Sequence, residues 1–193
     1  MKLSIVIPHR KGSDCKVTLD SLAKQTFKDF KIIMVEDTDK KGACWARNEG
    51  FKQVDTEYVL FSDDDINWFP HALQCLYDAL QANPLASYSY GHFNVNNNGE
   101  YGMTEGDREF DAHYLLEKNF VTTMSMIRSA DFLGFDESIK RFQDWDLWLT
   151  MLRQGMEGVY CGKLLFTTEE RLGITNTVPL DESVAVIKKK HLL

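Results

Sequence analysis

Short apolar runs that end in polar or charged clusters recur through the first third of the chain. Leu3-Ser4-Ile5-Val6-Ile7 reads as a strand that Pro8 is expected to end, followed by a basic loop, His9-Arg10-Lys11-Gly12-Ser13. Ser13 or Asp14 is placed to cap a helix through about Gln25, with Val17, Leu19, Leu22 and Ala23 at its apolar positions. Lys31-Ile32-Ile33-Met34-Val35 reads as a second strand and runs into Glu36 and Asp37. Gly42 opens a helical stretch to about Val54. A third apolar run, Tyr58-Val59-Leu60-Phe61, then leads into Ser62-Asp63-Asp64-Asp65. Unbroken apolar runs suit strands covered on both faces. Strand and helix alternating this tightly predict right-handed βαβ units, a mostly parallel central sheet and an α/β fold.

The rest of the chain is patterned less regularly. A helix is expected from near Pro70 to about Ala82, stopped by Asn83-Pro84. Ala86 to Phe93 alternates as a strand, and Asn96-Asn97-Asn98-Gly99 is a turn signal. Tyr101 to about Asp111 is polar and reads as a loop, and the stretch from about Asn96 to Asp111 is suited to a lid role. Phe120 to Ile127 reads as a strand, and Asp131 to Asp136 as a short helix and turn. Gln143 to Gln154 is an amphipathic helix with Gly155 at its end. Val159-Tyr160 and Leu164-Leu165-Phe166 suggest a closing hairpin. A helix from about Leu180 ends in Lys188-Lys189-Lys190, either a solvated helix end or a weak contact for an anionic membrane surface.

Composition narrows the classes. A chain of 193 residues fits one domain with a substantial core. It has no apolar run long enough for a transmembrane helix, and its N-terminal apolar segment is too short for a signal peptide. Cys15, Cys44, Cys75 and Cys161 are scattered and read as free thiols, which points to the cytoplasm. A net charge of −7 gives no basic footprint and argues against a nucleic-acid partner.

The candidate chemistry lies at two acidic clusters. In an open α/β sheet, ligands bind beyond the carboxyl ends of the strands. If the first three strands are parallel neighbours, Arg10 and Lys11, Glu36 and Asp37, and the Asp triplet converge on one edge. Three adjacent acids repel one another unless a cation sits among them, and Mg²⁺ or Mn²⁺ fits when phosphates complete its coordination. The bland alternative is an acidic loop that caps the next helix. The first turn lacks the glycine pattern of a dinucleotide site, and no P-loop pattern is present. The second cluster is Gln143-Asp144-Trp145-Asp146, whose acids either complement a helix N-terminus or supply a general base. His92, His113 and His191 read as surface or structural histidines rather than competing bases.

Taken together these pieces resemble a family 2 glycosyltransferase of the GT-A fold. The resemblance rests on Ser4-Ile5-Val6-Ile7-Pro8, Leu22-Ala23-Lys24-Gln25-Thr26, Phe30 through Asp37, Gly42 through Gly50, the Asp triplet, Gly134-Phe135-Asp136-Glu137 and Gln143 through Leu149, in family order. It implies a single GT-A domain of three-layer α/β/α architecture. In this reading about 1–95 form a nucleotide-sugar half, about 96–170 an acceptor and catalytic half, and 171–193 a tail. It implies that Pro8, His9 and Arg10 border a nucleotide pocket, that Asp37 contacts the base, and that Arg47 lies near the donor phosphates. Asp63 and Asp65 take the metal-binding DXD places for Mn²⁺ or Mg²⁺, and Asp64 helps hold the donor. Asp144 matches the catalytic base, with Gln143 where Glu is commoner. Trp148 is expected to pack, Trp145 to pack or line the acceptor site, and Arg171 to fold over the diphosphate. The implied reaction moves a sugar from a nucleotide donor, UDP-linked first, to a hydroxyl of a glycan, lipid-linked or small-molecule acceptor, with inversion. Alternatives are a transferase acting on modified DNA bases and a non-catalytic sugar-nucleotide binder.

Overall fold

The computed structural model describes residues 1–97, 100–169 and 179–193, with side chains throughout these except at 97 and 100–105. In chain order the strands are β1 (Leu3–His9), β2 (Phe30–Glu36), β3 (Tyr58–Phe61), β4 (Asn67–Trp68), β5 (Tyr88–Asn97), β6 (Glu100–Glu105), β7 (Met126–Arg128) and β8 (Gly158–Glu169). The α-helices are α1 (Lys16–Ala23), α2 (Ala43–Phe51), α3 (Ala72–Ala82), α4 (Ala112–Glu117), α5 (Gln143–Arg153) and α6 (Leu180–His191).

One sheet runs β2-β1-β3-β7-β5-β8-β4, with β6 added beside β5. The expected parallel core is present where β1 pairs with β2 and β3, and again where β5 pairs with β8. The other pairings, β3 with β7, β7 with β5, β5 with β6 and β8 with β4, are antiparallel, so the sheet is mixed.

The unbroken apolar runs are explained by burial on both faces. Leu3, Ile5 and Ile7 alternate with Val6, and Tyr58 and Leu60 with Val59 and Phe61, so that successive residues enter two separate cores. One core packs α1 and α3 against the sheet through Leu22, Leu73, Leu76 and Leu80. The other packs α2, α4, α5 and α6 through Ala46, Leu115, Trp148 and Ile187. Each fully buried large apolar side chain contributes about 1.5–3 kcal/mol.

Several elements depart from expectation for local reasons. Pro8 does not end β1, which pairs with β2 through His9. The β3 ladder stops at Val6–Phe61, so at Pro8 the other flank of β1 is bare and the missing N–H costs no ladder bond there. Part of the segment read as a polar loop is β6, recruited by pairing rather than by its own pattern. Only Met126–Arg128 of the strand expected over 120–127 is regular. The expected closing hairpin is the single strand β8, bent at Gly162 (φ +68°), where its register with β5 shifts. Arg171 and part of the Asn96–Gly99 turn lie outside the described residues.

Helix α2 sits against β1 at Gly50, where an added Cβ would overlap Val6 Cγ1 and press on Val35. Gly50→Ala is expected to destabilise the protein by about 1–3 kcal/mol. Urea unfolding measures this as a lowered midpoint with an unchanged slope.

Candidate active site

The carboxyl ends of β1, β2 and β3 bring the predicted polar groups to one edge. His9 pairs in register with Glu36, and the Asp37 N–H donates to His9 O at 2.9 Å. Pro8 and His9 are half-buried there, and Arg10 is exposed at the rim. Asp37 accepts from Lys41 N at 2.9 Å and from Gly42 N at 2.7 Å. It therefore shapes the turn that launches α2, where Gly42 takes φ +106°. Its carboxylate retains lone pairs for a ligand, since each oxygen offers two.

The Asp triplet follows β3. Asp64 and Asp65 form the turn into β4, and all three acids are half-buried. Thr18 of α1 pins this turn: its hydroxyl donates to Asp63 O at 3.3 Å and accepts from Ile66 N at 2.9 Å. Among the described residues no three His, Cys, Asp or Glu side chains form a metal cage. The donor set is all carboxylate, however, and one or two carboxylates suffice where substrate phosphates supply the remaining oxygens. Asp65 and Asp63 fit a hard divalent cation on those terms.

Arg47 joins this turn to the second acidic cluster. Its guanidinium is buried, donates to Asp63 Oδ1 at 2.7 Å and to Gln143 Oε1 at 2.9 Å, and lies 5.3 Å from the Phe135 ring centre. The resemblance placed Arg47 near phosphates. The structure shows it committed first to two protein partners, with one carboxylate against its charge. Gln143 is suited to its place because its amide works both ways: Oε1 accepts from Arg47 while Nε2 donates to Ile139 O at 3.1 Å. A glutamate could not make the second bond.

Asp144 follows Gln143 in the first turn of α5. Burial pushes its carboxyl above the ordinary carboxylate range. The Trp145 N–H, the Asn119 side chain and the charge of Arg47 oppose that shift without cancelling it. Desolvation is the largest influence on this carboxyl. Asn119 is a site residue that the sequence did not signal. Its Oδ1 accepts from Val121 N at 3.3 Å, leaving its amide hydrogens for Asp144.

Trp145 is 2% exposed and donates Nε1–H to Leu115 O at 2.7 Å, so it packs rather than lines an open acceptor site. Trp148 packs as expected, stacked on Tyr88 at 4.4 Å. His113 is exposed on α4. His191 is buried, and its Nε2 lies 2.8 Å from Asp146 Oδ1. Lys190 is not a solvated helix end. It donates to Asp146 at 2.8 Å and to Asp136 at 2.7 Å, clamping α6 onto the helix that carries Asp144.

The family model described as Glycosyl transferase family 2 matches residues 19–139, more than half of the chain. The chain belongs to glycosyl transferase family 2. An Escherichia coli protein, the UDP-Glc:alpha-D-GlcNAc-diphosphoundecaprenol beta-1,3-glucosyltransferase WfgD, is 24% identical over 70% of this chain and 54% of its own length. The amylovoran biosynthesis glycosyltransferase AmsB of Erwinia amylovora is 26% identical over 82% of this chain and 66% of its own. The chain thus spans between about half and two thirds of these curated relatives. Staphylococcus aureus TarS 1–349, solved in complex with UDP-GlcNAc, superposes with a TM-score of 0.74 at 18% identity, covering 98% of this chain and 66% of that one. That likeness shows the GT-A fold expected from the sequence. No helix among the described residues is long and apolar enough to cross a membrane.

Lys190 and Ser138 hold the Asp136 carboxyl down at about 2. A lowered acid pKa stabilises the fold above the ordinary carboxylate range, and that gain is lost as pH falls toward about 2. Lys190→Ala is expected to return Asp136 toward the ordinary range and to cost about 1–3 kcal/mol near neutral pH, since it removes a partner of the buried Asp146 as well as the partly exposed Asp136 pair. Carbon-detected NMR titration of the Asp136 carboxyl, alongside urea unfolding, measures both.

Proposed function

We propose that this protein transfers a sugar from a nucleoside-diphosphate donor to an acceptor hydroxyl in one inverting displacement. The observation that carries this reading is the Asp63–Arg47–Gln143 bridge, which holds the Asp triplet beside the Asp144 end of α5. A glycosyltransferase of this kind needs two acidic centres facing one reacting carbon. One manages the departing diphosphate and the other removes the acceptor proton. Family membership and the UDP-GlcNAc complex of TarS support a nucleotide-sugar donor, with UDP the first base to test.

In this mechanism Pro8, His9, Arg10 and Asp37 border the nucleotide at the edge of β1 and β2, and Asp64 holds the donor. Asp63 and Asp65 would hold Mn²⁺ or Mg²⁺ together with the donor phosphates. Such an ion supplies positive charge against the leaving diphosphate. Asp144 accepts the proton of the acceptor hydroxyl, whose oxygen bonds to the anomeric carbon as the bond to the diphosphate oxygen breaks. Burial raises the Asp144 carboxyl, which makes its ionised form a stronger base, and Asn119, the Trp145 N–H and Arg47 oppose that rise and orient the group.

Asp144→Asn is expected to lower turnover by about 10²- to 10⁴-fold while leaving nucleotide binding intact. Asp65→Ala is expected to abolish the Mn²⁺-dependent part of the thermal stabilisation given by UDP. Thermal shift with UDP, with and without Mn²⁺, reads binding, and release of UDP from UDP-sugars reads turnover. Stabilisation of wild type by no nucleoside diphosphate would remove the donor-site assignment. Full turnover in Asp144→Asn would remove the base.

A further inference from the structure

Strand β2 ends the sheet, and it is left open in two ways. On one face Ile33 and Val35 are buried under α2. On the other face Phe30 is half-buried, Ile32 and Met34 are 37% and 39% exposed, and Glu36 is exposed. The helix that could cover this row is held elsewhere. Thr18 and Ser21 of α1 bond the 63–66 turn, and Gln25 just beyond α1 bonds Phe69 O and Leu73 N at the start of α3. The backbone of β2 is open as well. Leu3 N donates to Asp29 O at 3.2 Å and Asp37 N to His9 O at 2.9 Å, so the odd-numbered residues turn their N–H and C=O toward β1. Alternate residues of a strand bond to opposite sides. Phe30, Ile32 and Met34 therefore aim their backbone groups outward, where no described strand pairs with them.

Sheet edges are commonly blunted by proline, by charge, by a bulge or by shortness. The far end of the main strand path is blunted in the last way, because β4 has only two residues. β2 has seven residues, no proline and three apolar side chains along its bare row. Lys31 does not guard that row, since it lies on the α2 face and pairs with Asp55. Self-pairing has one register that suits the side chains. A twofold axis normal to the sheet runs two β2 strands antiparallel and keeps their bare faces on one side. With Ile32 opposite its own copy, Phe30 lies opposite Met34 and Lys28 opposite Glu36. The apolar row then continues across the junction, and each end closes on opposite charges. Lys28 belongs to this face, because its Nζ reaches Ala23 O at the end of α1, and its ammonium has donors to spare. The three outward-facing pairs exchange six backbone N–H···O bonds. Sliding the second copy by two residues sets Phe30 against Glu36 and Asp29 against Asp37 in one direction, and Met34 against Lys28 in the other.

We propose that this protein forms a twofold dimer through β2 in this register, the partner being a second copy of the chain. Two sheets join into one across the open edge, and the exposed Ile32 and Met34 are covered. A strand from another protein could meet the same backbone, but a second copy brings the Lys28–Glu36 match twice by symmetry. Glycosyl transfer is not needed for this pairing, yet the pairing bears on it. Glu36 stands in register with His9, so each copy sets Lys28 beside the other's donor edge. Because the two strands are antiparallel, the two donor edges open at opposite ends of the dimer.

Sedimentation velocity of the full chain from about 1 to 100 µM tests this, a range suited to an interface with few anchoring side chains. A species of about 44 kDa, twice the 22.2 kDa chain, is expected to grow with concentration. Ile32→Lys sets two ammonium groups against each other at the axis and is expected to leave only monomer over the same range. Lys28→Glu and Glu36→Lys are each expected to weaken the dimer about tenfold, since each creates two like-charge pairs. Combining Lys28→Glu with Glu36→Lys is expected to restore it. That recovery also shows that the single variants lost pairing and not their fold. Wild type that stays monomeric at the highest concentration overturns the proposal. A dimer that Ile32→Lys leaves intact lies elsewhere on the surface and overturns it as well. Failure of the combined variant to recover overturns the register and the charge match that selects it.

Discussion

One buried guanidinium holds the candidate site together. Arg47 reaches from α2 to the turn after β3 and to the first residue of α5, joining segments 16 and 96 residues away in sequence. A cation taken out of water loses several kcal/mol of solvation, and only well-placed partners offset that. Asp63, the Gln143 carbonyl and the face of Phe135 are those partners here. The same contacts that make the buried charge tolerable fix the distance between the two acidic centres. Site geometry and the stability of this junction are therefore one constraint.

A second clamp works from the other end of the chain. Asp146 is almost fully buried and receives both Lys190 and His191 from the last turn of α6. Asp146 lies one residue beyond Trp145, and Trp145 is itself tied to α4 through Leu115 O. The turn that carries Asp144 is thus gripped by α2 on one side, α6 on another and α4 on a third. Catalytic groups need this support, because a base is effective only when its orientation is fixed before the substrate arrives.

The βαβ beginning was legible because burial on both faces leaves a direct trace: Tyr58 through Phe61 are all apolar or aromatic. The two acidic clusters stood out only through their place in the family resemblance, because acids at helix starts and in capping loops are ordinary on their own. What the sequence hid depended on distant partners. Asn67–Trp68 is too short for any period, and β6 exists because β5 offers it an edge. Lys190 resembled a solvated lysine because its acids lie 44 and 54 residues away. Asn119 carried no signal, and the burial that raises the Asp144 carboxyl cannot be read from spacing. Pro8 misled for a similar reason: whether its missing N–H matters depends on where the neighbouring strand stops.

The displacement mechanism makes its most direct statement about stereochemistry, and that can be measured before the acceptor is known. Water can replace the acceptor, so ¹H NMR of UDP-sugars incubated with the enzyme and Mn²⁺ shows which anomer of the free sugar appears first. A base on the face opposite the leaving diphosphate predicts that an α-linked donor such as UDP-GlcNAc releases the β-anomer, with mutarotation following later. First appearance of the α-anomer would contradict a single displacement assisted by Asp144 and require a different arrangement of the two acidic centres.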